Sequence, residues 1–296
     1  MVNNEQARLE TNYRSSHRAA AWRLRTRTLQ LPPRPLLMGI VNVTPDSFSD
    51  GGRFLESKAA IEHALKLVAE GADLLDIGGE STRPGSRPIA VQEEIDRVIS
   101  VLEAVCRQTT APVSIDTSKA TVARAAIAAG AEIINDVTAF TDSAMLEMAI
   151  QSGAGLCAMH MQGTPQTMQD DPRYDDVVGE VFAFLRRARD RLLAAGISQS
   201  RICLDPGIGF GKTREHNLAL VASAWRFHEL GCPVLIGHSR KSFLSRAAVQ
   251  EDGEQTDQNA ATCTMSCDLM SQGVQILRVH DVAANRRALE IFEATG

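Results

Sequence analysis

Eight short runs rich in Val, Ile and Leu, each followed by a longer stretch at helical spacing, constrain this chain more than any other feature. The runs are LLMGIVNV (36–43), ADLLDIGG (72–79), PVSIDTS (112–118), EIINDVT (132–138), GLCAMHM (155–161), ICLDPG (202–207), PVLIGHS (233–239) and VQILRVHD (274–281). Apolar runs without alternation are what strands buried on both faces require, and their alternation with helical segments marks βα units around a parallel sheet. The recurrent EGAD, AGAE and SGAG, each just ahead of a strand, stop a helix at Gly and return the chain to the sheet. Eight such units predict an α/β chain folded as a single-domain (β/α)8 TIM barrel, with a doubly wound sheet as the alternative, and 296 residues suit the barrel. The expected organisation is a disordered tail over 1–20, a short N-terminal strand or hairpin over 21–35 from the alternating run AWRLRTRTLQL, and the barrel over 36–296.

Composition narrows the class of partner. A chain that is 44% hydrophobic and 23% charged, with a net charge of -5, shows no basic footprint for nucleic acid, which leaves small-molecule chemistry. No apolar run approaches the ~18 residues of a membrane span, and the opening residues lack the apolar core of a secretory signal, so no membrane association and a cytoplasmic location are expected. Arginines at 8, 14, 18, 23, 25 and 27 are interleaved with Glu5 and Glu10, against the acid-poor composition of a transit peptide. Six scattered cysteines fit reduced, buried thiols rather than a disulfide framework; Cys263 and Cys267 have the spacing of half a metal site but no second ligand pair nearby.

Polar residues gather where catalytic groups sit in barrels, at the C-terminal ends of the strands. Asn42, Glu80, Asp116, Asn135 with Asp136, His160, Asp205, Ser239 with Arg240 and Lys241, and Arg278 with His280 all fall there. One alone reads as a turn or cap residue; one at nearly every strand end does not. Asp116 and Asp205 follow apolar residues, so their carboxylates enter a pocket and need donors there. A heterocycle with an amino group and ring N–H meets that need, and Asn135 supplies a donor and an acceptor for the same edge. Helix capping is the competing reading for Asp116.

DPGIGFGKT (205–213) fits neither a P-loop, because of Pro206, nor a dinucleotide fingerprint, because of Lys212; its glycines permit close approach to a flat ligand and Phe210 can form an aromatic wall. GHSRKSF (237–243) places cations at a helix start, and the period-2 pair Arg278 and His280 projects to one side of a strand; with Asn42 they describe an anion site. For Arg240 the favoured reading is a structural salt bridge. GGESTRPGSRP (78–88), with Thr82, Arg83 and Pro84 at its centre, reads as a lid or binding loop as readily as an inert connector. His160, with no metal-ligand spacing to a partner, reads as pocket-lining or structural.

In this order and register, MGIVNVTPDSFSDGG, GGESTRPG, SIDTSK, INDV, DPGIGFGK, SRKSF and RVHDV resemble the dihydropteroate synthase family from about Leu36 to the C-terminus. The resemblance implies a barrel that condenses 6-hydroxymethyl-7,8-dihydropterin diphosphate with p-aminobenzoate to 7,8-dihydropteroate and diphosphate, assisted by Mg2+, in a homodimer. It assigns Asp116, Asn135, Asp205 and Lys241 to the pterin; Asn42, Thr82, Arg278 and His280 to diphosphate, with Asn42 on the metal; and Phe48, Thr82, Arg83, Pro84, Phe210 and Ser242 to p-aminobenzoate. Asp46 and Asp50 stand in the first loop, and the expected catalytic group is Asp50, Asn42, Lys241, Arg278 and His280. Early diphosphate loss would leave positive charge on the pterin methylene, which Asp50 favours while Arg278 and His280 hold the leaving group. The segment QEDGEQTDQNAATCTMSCD departs from the family pattern, in the loop and subunit contact rather than the chemistry. A pterin-binding methyltransferase domain shares the acidic constellation but does not call for the Thr-Arg-Pro loop or the SRKS segment; a non-catalytic pterin-binding protein is the reading from another class.

Overall fold

The computed structural model describes residues 17–44, 52–83, 85–245 and 258–295. Asp46, Phe48, Asp50 and Pro84 lie outside them, as do residues 1–16 of the expected tail and much of the atypical segment after Lys241.

Strands β1 (Ala21–Arg23) and β2 (Thr28–Gln30) pair antiparallel as a hairpin, with Trp22 opposite Leu29. Then follow β3 (Leu36–Asn42), α1 (Gly52–Ala69), β4 (Leu74–Gly78), α2 (Val91–Gln108), β5 (Val113–Asp116), α3 (Ala120–Ala128), β6 (Ile133–Asp136) and α4 (Ser143–Ser152). The second half runs β7 (Gly155–Met159), α5 (Val177–Ala194), β8 (Ile202–Asp205), α6 (Arg214–Ala222), β9 (Leu235–Ile236), α7 (Ser242–Ser245), α8 (Gln258–Ser271), β10 (Ile276–Val279) and α9 (Val282–Thr295). Strands β3 to β10 are all parallel, in the spatial order β8-β7-β6-β5-β4-β3-β10-β9. A parallel bridge from Leu204 to Val234, just ahead of β9, joins the two ends of that sheet. The result is the (β/α)8 barrel, and each of the eight apolar runs contains its strand.

Period 2 along each strand sorts the residues into two surfaces. Leu37, Val41, Leu75, Ile77, Ile115, Ile134, Leu156, Leu204, Leu277 and Val279 face the helices and merge with Val98, Leu102, Val122, Leu185 and Leu289 in the main core. The alternate residues Met38, Leu74, Ile133, Cys157, Cys203, Leu235 and Ile276 point into the barrel and form a second, separate apolar cluster. Onto this cluster the hairpin places Trp22, Leu24 and Leu31, so it closes the N-terminal end of the barrel. Trp22 is fully buried and its indole donates to the Arg201 carbonyl at 2.9 Å. Gly155 opens β7 because a Cβ there would lie 2.7 Å from Leu24 Cδ2.

Buried Glu132 fastens the hairpin turn, accepting from Thr26 N, Thr26 Oγ1 and Arg27 Nε, the last at 2.8 Å. Residues 18–20, assigned to the tail by sequence, belong to this closure instead. Arg18 donates to the carbonyls of Leu31, Pro32 and Gly273, and the Ala19 and Ala20 carbonyls accept from Gln275 and Leu31. A guanidinium that satisfies three carbonyls in a fixed fork holds the chain where composition alone reads as a tail. No helix among the described residues is long and apolar enough to cross a membrane.

Candidate active site

Two residues above the apolar floor, the inward positions of the same strands change to Asp76, Asn135, Asp205 and Arg278, and above them stand Asn42, Asp116 and His280. They lie beneath or around a cavity of about 970 Å³ at the C-terminal end of the barrel. Of the residues expected from sequence, Asn42, Thr82, Arg83, Asp116, Phe210, Lys241, Ser242, Arg278 and His280 line it. Asn135 and Asp205 are buried below its surface.

Arg278 organises the depth of the site. Its Nε donates to Asp76 Oδ2 at 2.6 Å and its Nη2 to Asp116 Oδ2 at 2.9 Å. Asn135 Nδ2 donates to the same Asp76 oxygen at 3.1 Å, while Asp76 Oδ1 has no partner among the described residues. Two residues with expected ligand roles are already engaged here. Arg278, assigned to diphosphate, has two of its nitrogens committed to carboxylates because strand parity aims it across the barrel at Asp76. Asn135 likewise has one N–H engaged before any ligand arrives. Burial, opposed only in part by neighbouring cations, raises the Asp116 carboxyl well above the ordinary carboxylate range, with Asp76 adding repulsion. Burial also pushes Asp205 up to about 6, against the Gly207 N–H that its Oδ1 accepts at 2.7 Å. Burial alone would lower the Arg278 guanidinium, but Asp76 and Asp116 outweigh it and raise it further. Asp116 therefore faces the pocket and does not cap α3, whose N-cap, Lys119, has no side-chain cap bond. Asp136 parts from Asn135 by parity: it points outward and accepts from Thr138 N and Phe140 N, holding a turn in which Ala139 and Phe140 have φ of 56° and 59°.

The glycine-rich segment folds around its own lysine. Gly207, at φ +68°, passes so close to His160 that a Cβ would lie 1.9 Å from its carbonyl oxygen. Lys212 turns inward and donates to the carbonyls of Gly207 and Phe210, at 2.8 and 2.9 Å, with its Nζ 2.9 Å from His160 Nδ1. His160 is thus a structural partner of this turn, kept neutral by burial and Lys212, which drive it down to about 3. Phe210 faces the cavity with Lys241 Nζ 4.3 Å from its ring centroid, a cation–π contact at the pocket wall.

At the rim, cations surround one neutral imidazole. Burial, then the positive charges of Arg240, Arg278, Lys241 and Arg83, push His280 down to about 3. Its Nδ1 lies 3.1 Å from Ser239 Oγ. Arg240 does not form the expected salt bridge with any described residue: its φ of 56° turns it towards the cavity, and its Nε meets Asn259 Oδ1 at 3.3 Å. Four cationic side chains around a neutral imidazole give the rim a positive field, which favours anions. Burial of the neighbouring ammonium pushes Lys241 down to about 8.

Sequence reasoning missed Asp76 and His63. Asp76 is a single charge inside an apolar strand, two residues before a Gly, and only its parity with Leu74 could have placed it inside. His63 lies on α1 among helix-spaced residues and lines the cavity beside Asn42 and Arg240. Among the described residues no three His, Cys, Asp or Glu side chains gather to hold a metal ion, and neither Cys263 nor Cys267 is in a disulfide.

Comparison with known proteins agrees with this geometry. The model of the pterin binding enzyme family matches residues 38–280. The dihydropteroate synthase of Escherichia coli K12 is 42% identical over 261 residues, covering 88% of this chain and 92% of that one. The structure of Xanthomonas albilineans dihydropteroate synthase with 4-aminobenzoic acid superposes with a TM-score of 0.86 at 45% identity, covering 94% of this chain and 98% of the other. The same enzyme in complex with 7,8-dihydropteroate gives a TM-score of 0.82 at 42% identity, with 93% and 98% covered.

Proposed function

The chain belongs to the dihydropteroate synthase family of pterin binding enzymes, and from that premise we propose how its site joins 6-hydroxymethyl-7,8-dihydropterin diphosphate to p-aminobenzoate. The observation that carries the reading is the stacking of two opposite electrostatic layers in one cavity: buried carboxylates below, and a ring of cations around His280 above. A pterin presents N–H donors at one end and, through its methylene, a diphosphate at the other.

Asp116, Asp205 and Asn135 take the donor edge of the ring, with Asp76, whose Oδ1 has no partner among the described residues, bonded to Asn135 beneath. Lys241 covers the ring beside Phe210. The diphosphate lies against Asn42, Thr82, His280 and the face of Arg278 not turned to the carboxylates, with Arg240 adding its charge. The arylamine enters over Phe210 and Ser242, with Thr82 and Arg83 from the adjacent loop; Phe48, Pro84 and Asp50, to which the resemblance also assigns roles, lie outside the described residues.

The methylene C–O bond breaks first, and its electron pair leaves with the diphosphate. The cationic rim favours that charge separation because it meets the departing oxygens already oriented. The aniline lone pair then forms the C–N bond, and the amine proton is released. The carboxylates, Asp50 among them, favour the transient positive charge on the methylene. Neutral His280 donates to an oxyanion without adding a proton to the balance.

Magnesium fits this site as a companion of the substrate. The ion keeps several waters and is commonly bound through substrate phosphates plus one or two protein oxygens, which the Asn42 side chain at the cavity wall can supply without a resident cluster. When bound, it adds Lewis-acid stabilisation of the leaving group.

Incubation of the protein with both substrates and Mg2+, followed by chromatographic detection of 7,8-dihydropteroate, tests the reading. Product formation that is lost with a chelator and restored by Mg2+ is expected; its absence overturns the assignment. A cytoplasmic homodimer is the expected physical state, and its mass in solution is open to light scattering.

A further inference from the structure

Between β4 and α2 the chain makes an excursion from Glu80 to Ile89 whose middle brings Thr82 and Arg83 to the cavity. Its two ends meet on one ammonium group. Lys119 Nζ, from the start of α3, donates to Glu80 Oε1 at 3.1 Å and to the Ile89 carbonyl at 2.9 Å. Glu80 Oε1 in turn accepts the Ile89 N–H at 2.9 Å, which closes the stem. The third donor position of Lys119 goes to Glu94 Oε2 at 2.7 Å, on the first turn of α2. Glu94 is 0% exposed and its Oε1 has no partner among the described residues, so the Lys119 ammonium is what its side chain bonds to. Burial would lower the Lys119 pKa, but its bonds to Glu94 and Glu80 outweigh that and raise it, so the group stays cationic.

The loop has little other anchorage among the described residues. Ser86 bonds within it, to the Ser81 and Arg83 carbonyls. Its outer side touches the neighbouring turn through Gly85 N to Pro165 O, at 3.2 Å, and Gln166 Nε2 to Ser86 O, at 3.1 Å. Lys119 itself is not among the residues that line the cavity, so it does not meet substrate.

We propose that Lys119 is a positioning residue for the arylamine: by clamping Glu80 to Ile89 against Glu94 it fixes the loop that presents Thr82 and Arg83. The proposal rests on the synthase reading. Its geometric part stands without it. An ion pair that closes a ten-residue loop lowers the number of conformations open to the loop, and the gain is felt by whichever ligand the loop contacts.

The test is Lys119→Met in the full chain, read in two ways. Steady-state kinetics should show the KM for p-aminobenzoate raised about tenfold or more, with the KM for the pterin diphosphate changed less than about twofold. Hydrogen exchange should show faster exchange of amides 81–88 while those of β5 and α3 keep their protection. Unchanged p-aminobenzoate KM, or both KM values rising together with exchange faster throughout the barrel, would overturn the proposal, the second outcome marking a general structural role. Should Lys119→Met fail to fold, Glu94→Gln, which keeps volume and weakens the clamp at a residue that does not line the cavity, must show the same selective rise in a smaller degree. Wild-type protein that makes no product would sink the synthase reading alone, because the exchange experiment still decides whether Lys119 holds the loop.

Discussion

The floor and the mouth of this barrel are built by the same strands, two residues apart, and have opposite chemistry. On β4, β6, β8 and β10 the inward residues pass from Leu74, Ile133, Cys203 and Ile276 to Asp76, Asn135, Asp205 and Arg278. The floor is apolar, closed by Trp22, Leu24 and Leu31, and gains from burial alone. The mouth buries charge, which costs free energy that only ion pairs and ligands offset. The difference shows how one rigid frame can hold a polar site: the apolar layer makes the barrel stable, and the layer above can then be selected for reaction.

The comparison is broken most severely by removing the floor's largest side chain. Trp22→Ala should cost about 3–5 kcal/mol of stability by chemical denaturation, while kcat/KM of the folded protein changes less than about twofold. Loss of turnover in well-folded protein would mean that the floor shapes the mouth directly.

Asp205→Asn should do the reverse. We expect kcat/KM for the pterin diphosphate to fall about 100-fold or more, about 2.7 kcal/mol of transition-state stabilisation, with Tm changed by less than about 3 °C. The amide oxygen can still accept from Gly207, and it removes a carboxylate that burial disfavours.

Smaller effects should appear in pH profiles. Burial raises Asp116 and Asp205, the latter to about 6, and lowers Lys241 to about 8, so kcat/KM for the pterin substrate should be bell-shaped, falling on the acid side as these two carboxyls take up protons and on the alkaline side above about 8. Lys241→Arg should remove the alkaline limb.

The smallest separation is in stability against pH. His228, near the floor beside Gln272, is driven by burial down to about 4. A depressed imidazole is neutral in the fold and takes up protons on unfolding, so its contribution is present above about 6.5, the ordinary His value, and is lost as pH falls towards 4. Asp116 and Asp205 act oppositely: raised carboxyls bind protons more readily in the fold, and stability gains as pH falls through that range. Denaturation midpoints from pH 7 to 4 should decline less for His228→Asn than for the wild type, and more steeply for Asp205→Asn.

The barrel was legible because buried parallel strands leave uninterrupted apolar runs, and the mouth because polar residues end them. Individual roles were less so. The bond between Arg278 and Asp76 spans 202 residues and exists only after closure. Nothing local distinguishes Asp76 from an outward polar residue, although parity separates Asn135 from Asp136. Lys212 reads as a departure from a nucleotide motif, and its inward turn onto His160 depends on two strands meeting. Arg18 reads as tail, since its carbonyl partners lie at Leu31, Pro32 and Gly273.

The hairpin that closes the floor also sets an order in time. Trp22 bonds to Arg201 and Arg18 to Gly273, separations of 179 and 255 residues. The hairpin, which precedes every barrel strand in the chain, can therefore be seated only after nearly all of those strands have been made and the barrel has formed, and until then its largest apolar side chains stay without their partners.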